Sequence, residues 1–493
     1  MVAALSDEVR ASMPSAGRAV PPATGHTARV ERVDGADTQR DGHEIGLGEA
    51  LRVWAYVSLN SFGGPAGQIA VMHRVLVDSR RWMSEQRFLH ALNYCMLLPG
   101  PEAQQLSVYI GWLMHGVRGG LLAGLLFILP GFLAILALSI LYAGFAGTAF
   151  VAALFYGIKP AVMAVVAAAV IRVGRRALAN GTMVAIAAIA FVAIFFFAVP
   201  FPVVVLLAAV TGLVGARVAP GTFVLGGSHG GAHGTAEHED RPRLHDHAVG
   251  PERPALRRSI GVLAVGLGLW LGPVVAVVAW LGPGHVFSQE ALFFSGAAVV
   301  TFGGAYAVLT FVGQQAVEVF GWLSPTEMLD GLAMAETTPG PLIMVVEFVG
   351  FLAAFRAPGA LEPMAAAFLG AVIVTWVTFV PSFLWIFLGA PYVESLRGQP
   401  LLTGALSAIT AAVVGVILNL AVWFAAHTLF GSVTETYVGP LRLYVPDAAT
   451  FDPAAAVIAV LAFIAMSRLR WPIIATLGVS AVAGAGWYAL VMA

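Results

Sequence analysis

The chain has 493 residues and a formal net charge of -1, with 59% hydrophobic residues and 11% Asp, Glu, Lys and Arg, against about 25% charged in an ordinary globular protein. So little polar surface excludes a soluble fold, and a near-neutral chain without a basic patch excludes nucleic-acid binding. Twelve charged residues fall in 1–45 and ten in 219–258, which leaves a polytopic membrane protein with two polar segments.

In chain order, residues 1–45 scatter Pro, Gly and charge without an apolar run, which predicts a disordered tail rather than a cleaved signal. Two apolar stretches follow, broken at Ser61-Phe62-Gly63-Gly64-Pro65 and at Pro99-Gly100-Pro101. Their arms, of about 11 to 16 residues, suit discontinuous or re-entrant helices better than full spans. Spans are expected at 121–142 and at 148–171, interrupted only by Lys159, with shorter ones at 183–199 and 203–214. After the His-rich segment come 260–281, two more broken stretches (Thr301-Phe302-Gly303-Gly304 and Pro339-Gly340-Pro341), and spans at 364–388, 401–427, 453–467 and 471–491.

One shift of 240 residues lays Ser61-Phe62-Gly63-Gly64 on Thr301-Phe302-Gly303-Gly304, Trp82-Met83-Ser84 on Trp322-Leu323-Ser324, and Pro99-Gly100-Pro101 on Pro339-Gly340-Pro341. With small gaps, Pro130-Gly131-Phe132 falls on Pro381-Ser382-Phe383. The expected fold is therefore all-α, with two repeats of two broken helical hairpins followed by about four transmembrane helices. The boundaries read 46–217 for the first repeat, 218–258 for a His-rich linker, 259–288 for one connecting transmembrane helix and 289–493 for the second repeat. That single extra crossing inverts the second repeat. Arg74, Arg80, Arg81 and Arg87 lie in or beside the first inter-hairpin loop, while 313–327 holds no cation and carries Glu318 and Glu327. By the positive-inside rule the two loops lie on opposite faces, with tail and linker cytoplasmic. On this topology only Arg356 and Arg442 fall on the outer side.

Inverted repeats with broken helices predict a secondary transporter with a midplane site. Pro101 and Pro341 suit the first position of a new half-helix, whose free N–H groups and dipole attract anions. The candidate substrate ligands are Ser61, Gly63, Gly64, Gln68, Gly100, Pro101, Gln104, Gln105, Thr301, Gly303, Gly304, Thr337, Thr338, Gly340 and Pro341. Lys159, the only lysine, is an intramembrane charge that reads either as a substrate or coupling group or as half of an ion pair with Glu102 or another buried acid. Glu102, Glu336 and Glu347 are coupling candidates, Glu102 having the alternative of capping its half-helix. The linker histidines lack a regular metal spacing and read as a solvated, flexible segment; no metal or cofactor is expected. No catalytic or nucleotide-binding motif is present, so an enzyme is not expected.

Several of these motifs, Ser61 to Gln68, Arg80-Arg81-Trp82, Leu97 to Gln105, Tyr156 to Val162 and Glu336 to Leu342, closely resemble those of the chromate ion transporter family in its long two-domain form. The resemblance covers roughly 46–493 and implies a transporter in the cell inner (plasma) membrane that exports chromate and confers resistance to it. Sulfate is implied as a competing oxyanion, and a homodimer is left open. The long tail and linker depart from the family pattern, as does Glu347, where an amide is more often expected. Transport of sulfate or another oxyanion, an anion channel and a lipid-modifying membrane enzyme are the competing readings.

Overall fold

The computed structural model describes residues 45–145, 147–223, 256–302, 305–392 and 399–491. The tail, most of the His-rich linker, and the predicted ligands Gly303 and Gly304 lie outside these residues.

Helices cover every predicted span. Seven are long and apolar enough to cross a membrane: Glu102–Phe145, Ala149–Ala177, Phe201–Val218, Leu256–Leu281, Pro363–Tyr392, Pro400–Leu429 and Ile473–Val491. Gly181–Phe197 and Pro453–Ser467 are shorter. Large apolar side chains such as Ile189, Trp280, Leu461 and Val482 stand exposed on the outer surface, where a bilayer rather than water would cover them. The protein is an all-α polytopic membrane protein apart from one small hairpin.

At 44 residues, Glu102–Phe145 would be about 66 Å long if straight, twice the hydrocarbon core. It is not straight. His115 (φ -138°, ψ 26°) and Gly116 (φ 61°, ψ -151°) leave helical geometry, and the chain doubles back there. A Cβ on Gly111 would come within 2.5 Å of the Gly119 carbonyl oxygen, so only glycine lets the two arms touch so near the turn.

The broken stretches fold alike. In the first half come Leu47–Leu59, Gly64–His73, a π-helical turn Arg74–Ser79 and Glu85–Met96; in the second, Val286–Val300, Ala305–Gln314, a π-helical turn Gln315–Val319 and Pro325–Thr337. Their turns match bond for bond at the 240-residue shift: Trp82 N–H donates to Leu76 O and Trp322 N–H to Ala316 O, both at 2.8 Å. Arg81 (φ 51°) and Gly321 (φ 63°) share the left-handed conformation, and Ser84 and Ser324 cap the next helices. The halves part company after the Pro-Gly-Pro turns. Glu102 opens an α-helix directly, whereas Leu342–Met344 forms one 3-10 turn before Val345–Arg356 begins.

The polar stretch after Pro400–Leu429 forms an antiparallel hairpin, Val433–Val438 with Leu441–Pro446, where helices and loops alone were expected. Its β-branched alternation around Gly439 (φ 62°) is a strand signal that a search for apolar runs passes over. Arg442 pins the hairpin to the helical body. It is 2% exposed and donates to Ile194 O at 2.8 Å, Phe195 O at 3.3 Å and Glu318 Oε2 at 3.0 Å.

Candidate functional site

The four breaks converge in crossed pairs. Gly100 N–H donates to Thr301 O at 2.8 Å, and Gly340 N–H donates to Ser61 O at 2.9 Å. The two bonds exchange under the 240-residue shift, each half lending a donor to the other's break. Behind each turn stands the other half's proline-containing span: Gly340 against Gly131, and Gly100 against Ser382. Gly100 (φ 132°) and Gly340 (φ 101°) both hold conformations that disfavour any side chain.

Pro101 and Pro341 each stand one residue before the first helical residue, not inside the helix as the sequence suggested. Their carbonyls accept the first bonds, from Gln105 N–H and Met344 N–H, both at 2.9 Å, which is how an N-cap residue behaves. Proline fits here because this position needs an acceptor and no donor.

The predicted ligands divide into those already partnered and those left open. Ser61 Oγ and Thr301 Oγ1 donate to Val57 O and Ala297 O, both at 2.6 Å. The Thr337 and Thr338 hydroxyls likewise donate to carbonyls of their own helix. Gln68 Nε2 donates to Gly340 O at 2.6 Å, tying the first break to the second half's turn. Gln105 Nε2 donates to Pro99 O at 2.8 Å, which leaves Oε1 buried without a partner. Gln104 is buried with neither amide atom bonded, and the nearby Ser382 hydroxyl is also unpartnered. Gly63 (φ 82°) and Gly64 (φ 69°) keep the first break open enough for the Tyr306 hydroxyl to lie against Gly64.

Of the acids, Glu336 accepts from the Tyr306 hydroxyl at 2.6 Å through Oε1, with Oε2 unpartnered. Glu347 is fully buried with both oxygens unpartnered. The buried acid that Lys159 meets is Asp330 and not Glu102. The Lys159 Nζ lies 3.1 Å from Asp330 Oδ1, and Tyr142 donates to Asp330 Oδ2 at 2.8 Å. The Ile473–Val491 helix packs so closely behind Lys159 that a Cβ on Gly157 would fall 1.9 Å from Ser480 O. Sequence reasoning missed Asp330, Tyr306 and Glu290. The signal for Asp330 in the sequence is a spacing of three from Glu327, which puts both on one helix face. Glu290, the only acid in its apolar arm, is fully buried with both oxygens unpartnered.

The two arginines predicted on the outer side both find acids of the 313–327 loop. Arg356 pairs with Glu327 and donates to Trp322 O at 2.6 Å, while Arg442 pairs with Glu318. Partial burial works against the Glu327 charge, yet Arg356 and the Ser324 backbone N–H hold its carboxyl below the usual carboxylate value. The crossed breaks thus bring together neutral amides and hydroxyls with the buried Glu336, while the Lys159 ammonium is set against Asp330 rather than against a residue of the breaks.

A family model described as "Chromate transporter" matches residues 48–213 and 288–485. The "Probable chromate transport protein" of Synechococcus elongatus is 28% identical over 75% of this chain and 82% of its own length. The "Chromate transport protein" of Cupriavidus metallidurans is 27% identical over 75% of this chain and 80% of its own. That of Pseudomonas aeruginosa is 33% identical, over 73% and 76%. No solved structure matches the chain.

Proposed function

The chain belongs to the chromate transporter family, and on that premise we propose that it is a secondary transporter that exports chromate across the plasma membrane. The observation that carries the reading is the pair of exchanged bonds, Gly100 to Thr301 and Gly340 to Ser61. In this state the Gly100 and Gly340 N–H groups, just ahead of the two half-helices, are held by carbonyls of the opposite half. Each such bond is worth only about 1 kcal/mol net, so an oxyanion entering the junction can replace the carbonyls as acceptor. Opening one crossed pair while the other stays shut would expose the site to one side at a time, by rocking inverted halves.

Gln104, Gln105 and Ser382 would add neutral donors on one side, and Gln68 on the other. The 240-residue repeat, read as inverted, places the arginine loop at the cytoplasm and the Glu318–Glu327 loop outside. The pairing of Arg356 and Arg442 with those two acids supports this, since each outer cation meets a neutralising partner. A dianion leaving a negative interior gains about 2.3 kcal/mol per charge per 100 mV, which is enough to drive export.

The test is uptake of labelled chromate into inverted membrane vesicles with membrane potential and pH gradient imposed separately, and with sulfate as competitor. Accumulation above equilibrium, driven by an interior-positive potential, is expected. Entry of labelled chromate should be faster into vesicles preloaded with unlabelled chromate, as a carrier requires; its absence would make the protein a channel, and uptake of sulfate in preference to chromate would reassign the substrate.

A further inference from the structure

Asp330 has no role in the crossed-break site, yet among the described residues it is the acid set against Lys159, the only lysine of the chain. The group is built from both halves. Lys159 comes from Ala149–Ala177 and Tyr142 from Glu102–Phe145, whereas Asp330 comes from Pro325–Thr337 of the second half. Glu327, paired with Arg356, lies one turn earlier and Glu336 later on the same helix. Of the packed helices, Val345–Arg356 adds the buried Glu347, Ala149–Ala177 adds Arg172, Arg175 and Arg176 near its end, and Glu102–Phe145 adds Glu102 and Arg118. Pro400–Leu429 adds only His427, and Ile473–Val491 has no Asp, Glu, Lys or Arg. Among the described residues none of these is paired with Lys159. Lys159 therefore depends on Asp330 for neutralisation.

The arrangement is lopsided. The Lys159 side chain keeps 23% of its surface exposed while that of Asp330 keeps 6%, so Lys159 is the more accessible member of the pair. A dianion and the Asp330 carboxylate cannot both sit against one ammonium without like-charge repulsion in a region of low dielectric. Asp330 has a neutral form and a ready partner for it, since the Tyr142 hydroxyl can hold either protonation state by rotating its hydrogen.

We propose that Asp330 is the resident counter-ion which the oxyanion displaces from Lys159, and that Asp330 takes up one proton as it is displaced. This rests on the reading of Lys159 as an anion ligand. The step balances: the Lys159–Asp330 ion pair breaks, a proton from the side open to the anion binds a carboxylate oxygen of Asp330, and the ammonium pairs with the anion. Release reverses each change. One proton thus travels with each anion, and a transported dianion moves a net charge of -1. Acid on the side from which the anion enters accelerates transport.

The experiment reconstitutes the full chain in liposomes and measures labelled chromate in two modes, exchange at equal pH and net uptake driven by acid on the entry side. Asp330→Asn should retain exchange and lose the acceleration by acid. Protonation of chromate itself acts equally on both proteins and cancels in the comparison. Acid acceleration as in wild type, or loss of exchange together with it at normal abundance, would overturn the proposal. A second measurement needs no variant: chromate added to wild-type protein in weakly buffered alkaline medium should draw one proton per anion bound, and binding without proton uptake would also overturn it. Lys159→Met separates this from the underlying reading. Wild-type exchange by Lys159→Met removes Lys159 from the anion site altogether, whereas loss of exchange there with acid acceleration intact in Asp330→Asn removes only the coupling role.

Discussion

The two halves share their turns, caps and breaks at a single shift, but they do not share their electrostatics. Around the first inter-hairpin loop Arg80 lies 3.6 Å from Glu49 and His73 stands against Asp78 and Glu85. The second carries Glu318 and Glu327, each answered by one distant arginine. Backbone geometry and charge have been set separately. A turn needs only its left-handed residue, its capping serine and its tryptophan to close, so its surface charge is free to differ between the halves. The same separation appears at the Pro-Gly-Pro turns, where Gly100 faces the side chains of Gln105 and Ser382 while Gly340 faces the backbone of Gly131.

The comparison breaks most visibly at topology. Single cysteines placed in 78–87 and in 318–327, in a Cys95→Ala background, should differ in an all-or-none way in labelling by an impermeant maleimide on intact cells. Equal labelling of both would end the inverted arrangement.

A smaller but still large effect is expected at the paired glycines. Alanine at either position is strained by the positive φ, at about 1–3 kcal/mol. At Gly340 the new Cβ would also stand 3.0 Å from Gly131 Cα, whereas at Gly100 it would stand 2.6 Å from side-chain atoms that can rotate away. Gly340→Ala should therefore abolish chromate uptake while Gly100→Ala retains a measurable fraction. The reverse order would show that the two turns do not carry equivalent roles.

Arg442→Met should weaken the fold without touching the junction. It strands the Ile194 and Phe195 carbonyls and leaves Glu318 without its cation, a loss of about 1–3 kcal/mol to be read as a lower unfolding temperature in detergent, with chromate affinity kept. The least effect is expected from deleting 225–250, a polar stretch outside both repeats: transport per molecule should be unchanged, and its loss at normal abundance would give the linker histidines a function.

Much of this was legible in the chain itself. Low charge content specified a membrane fold, and paired Gly and Pro breaks marked where helices stop, because those residues act on their own backbone whatever surrounds them. The 240-residue register was legible for the same reason. What local chemistry could not supply was partnership. Lys159 announced a need for an anion but not which one; Asp330 became its neighbour only through the packing of Pro325–Thr337 against Ala149–Ala177. The N–H groups that follow Pro101 and Pro341 were read from sequence as free donors, and the tertiary structure alone decided that the N–H groups of Gly100 and Gly340, ahead of them, would be claimed by carbonyls of the opposite half. A residue's own conformation is governed by its type and near neighbours, while its long-range partner depends on the rotation and depth of whole helices, which emerge only when all of them pack together.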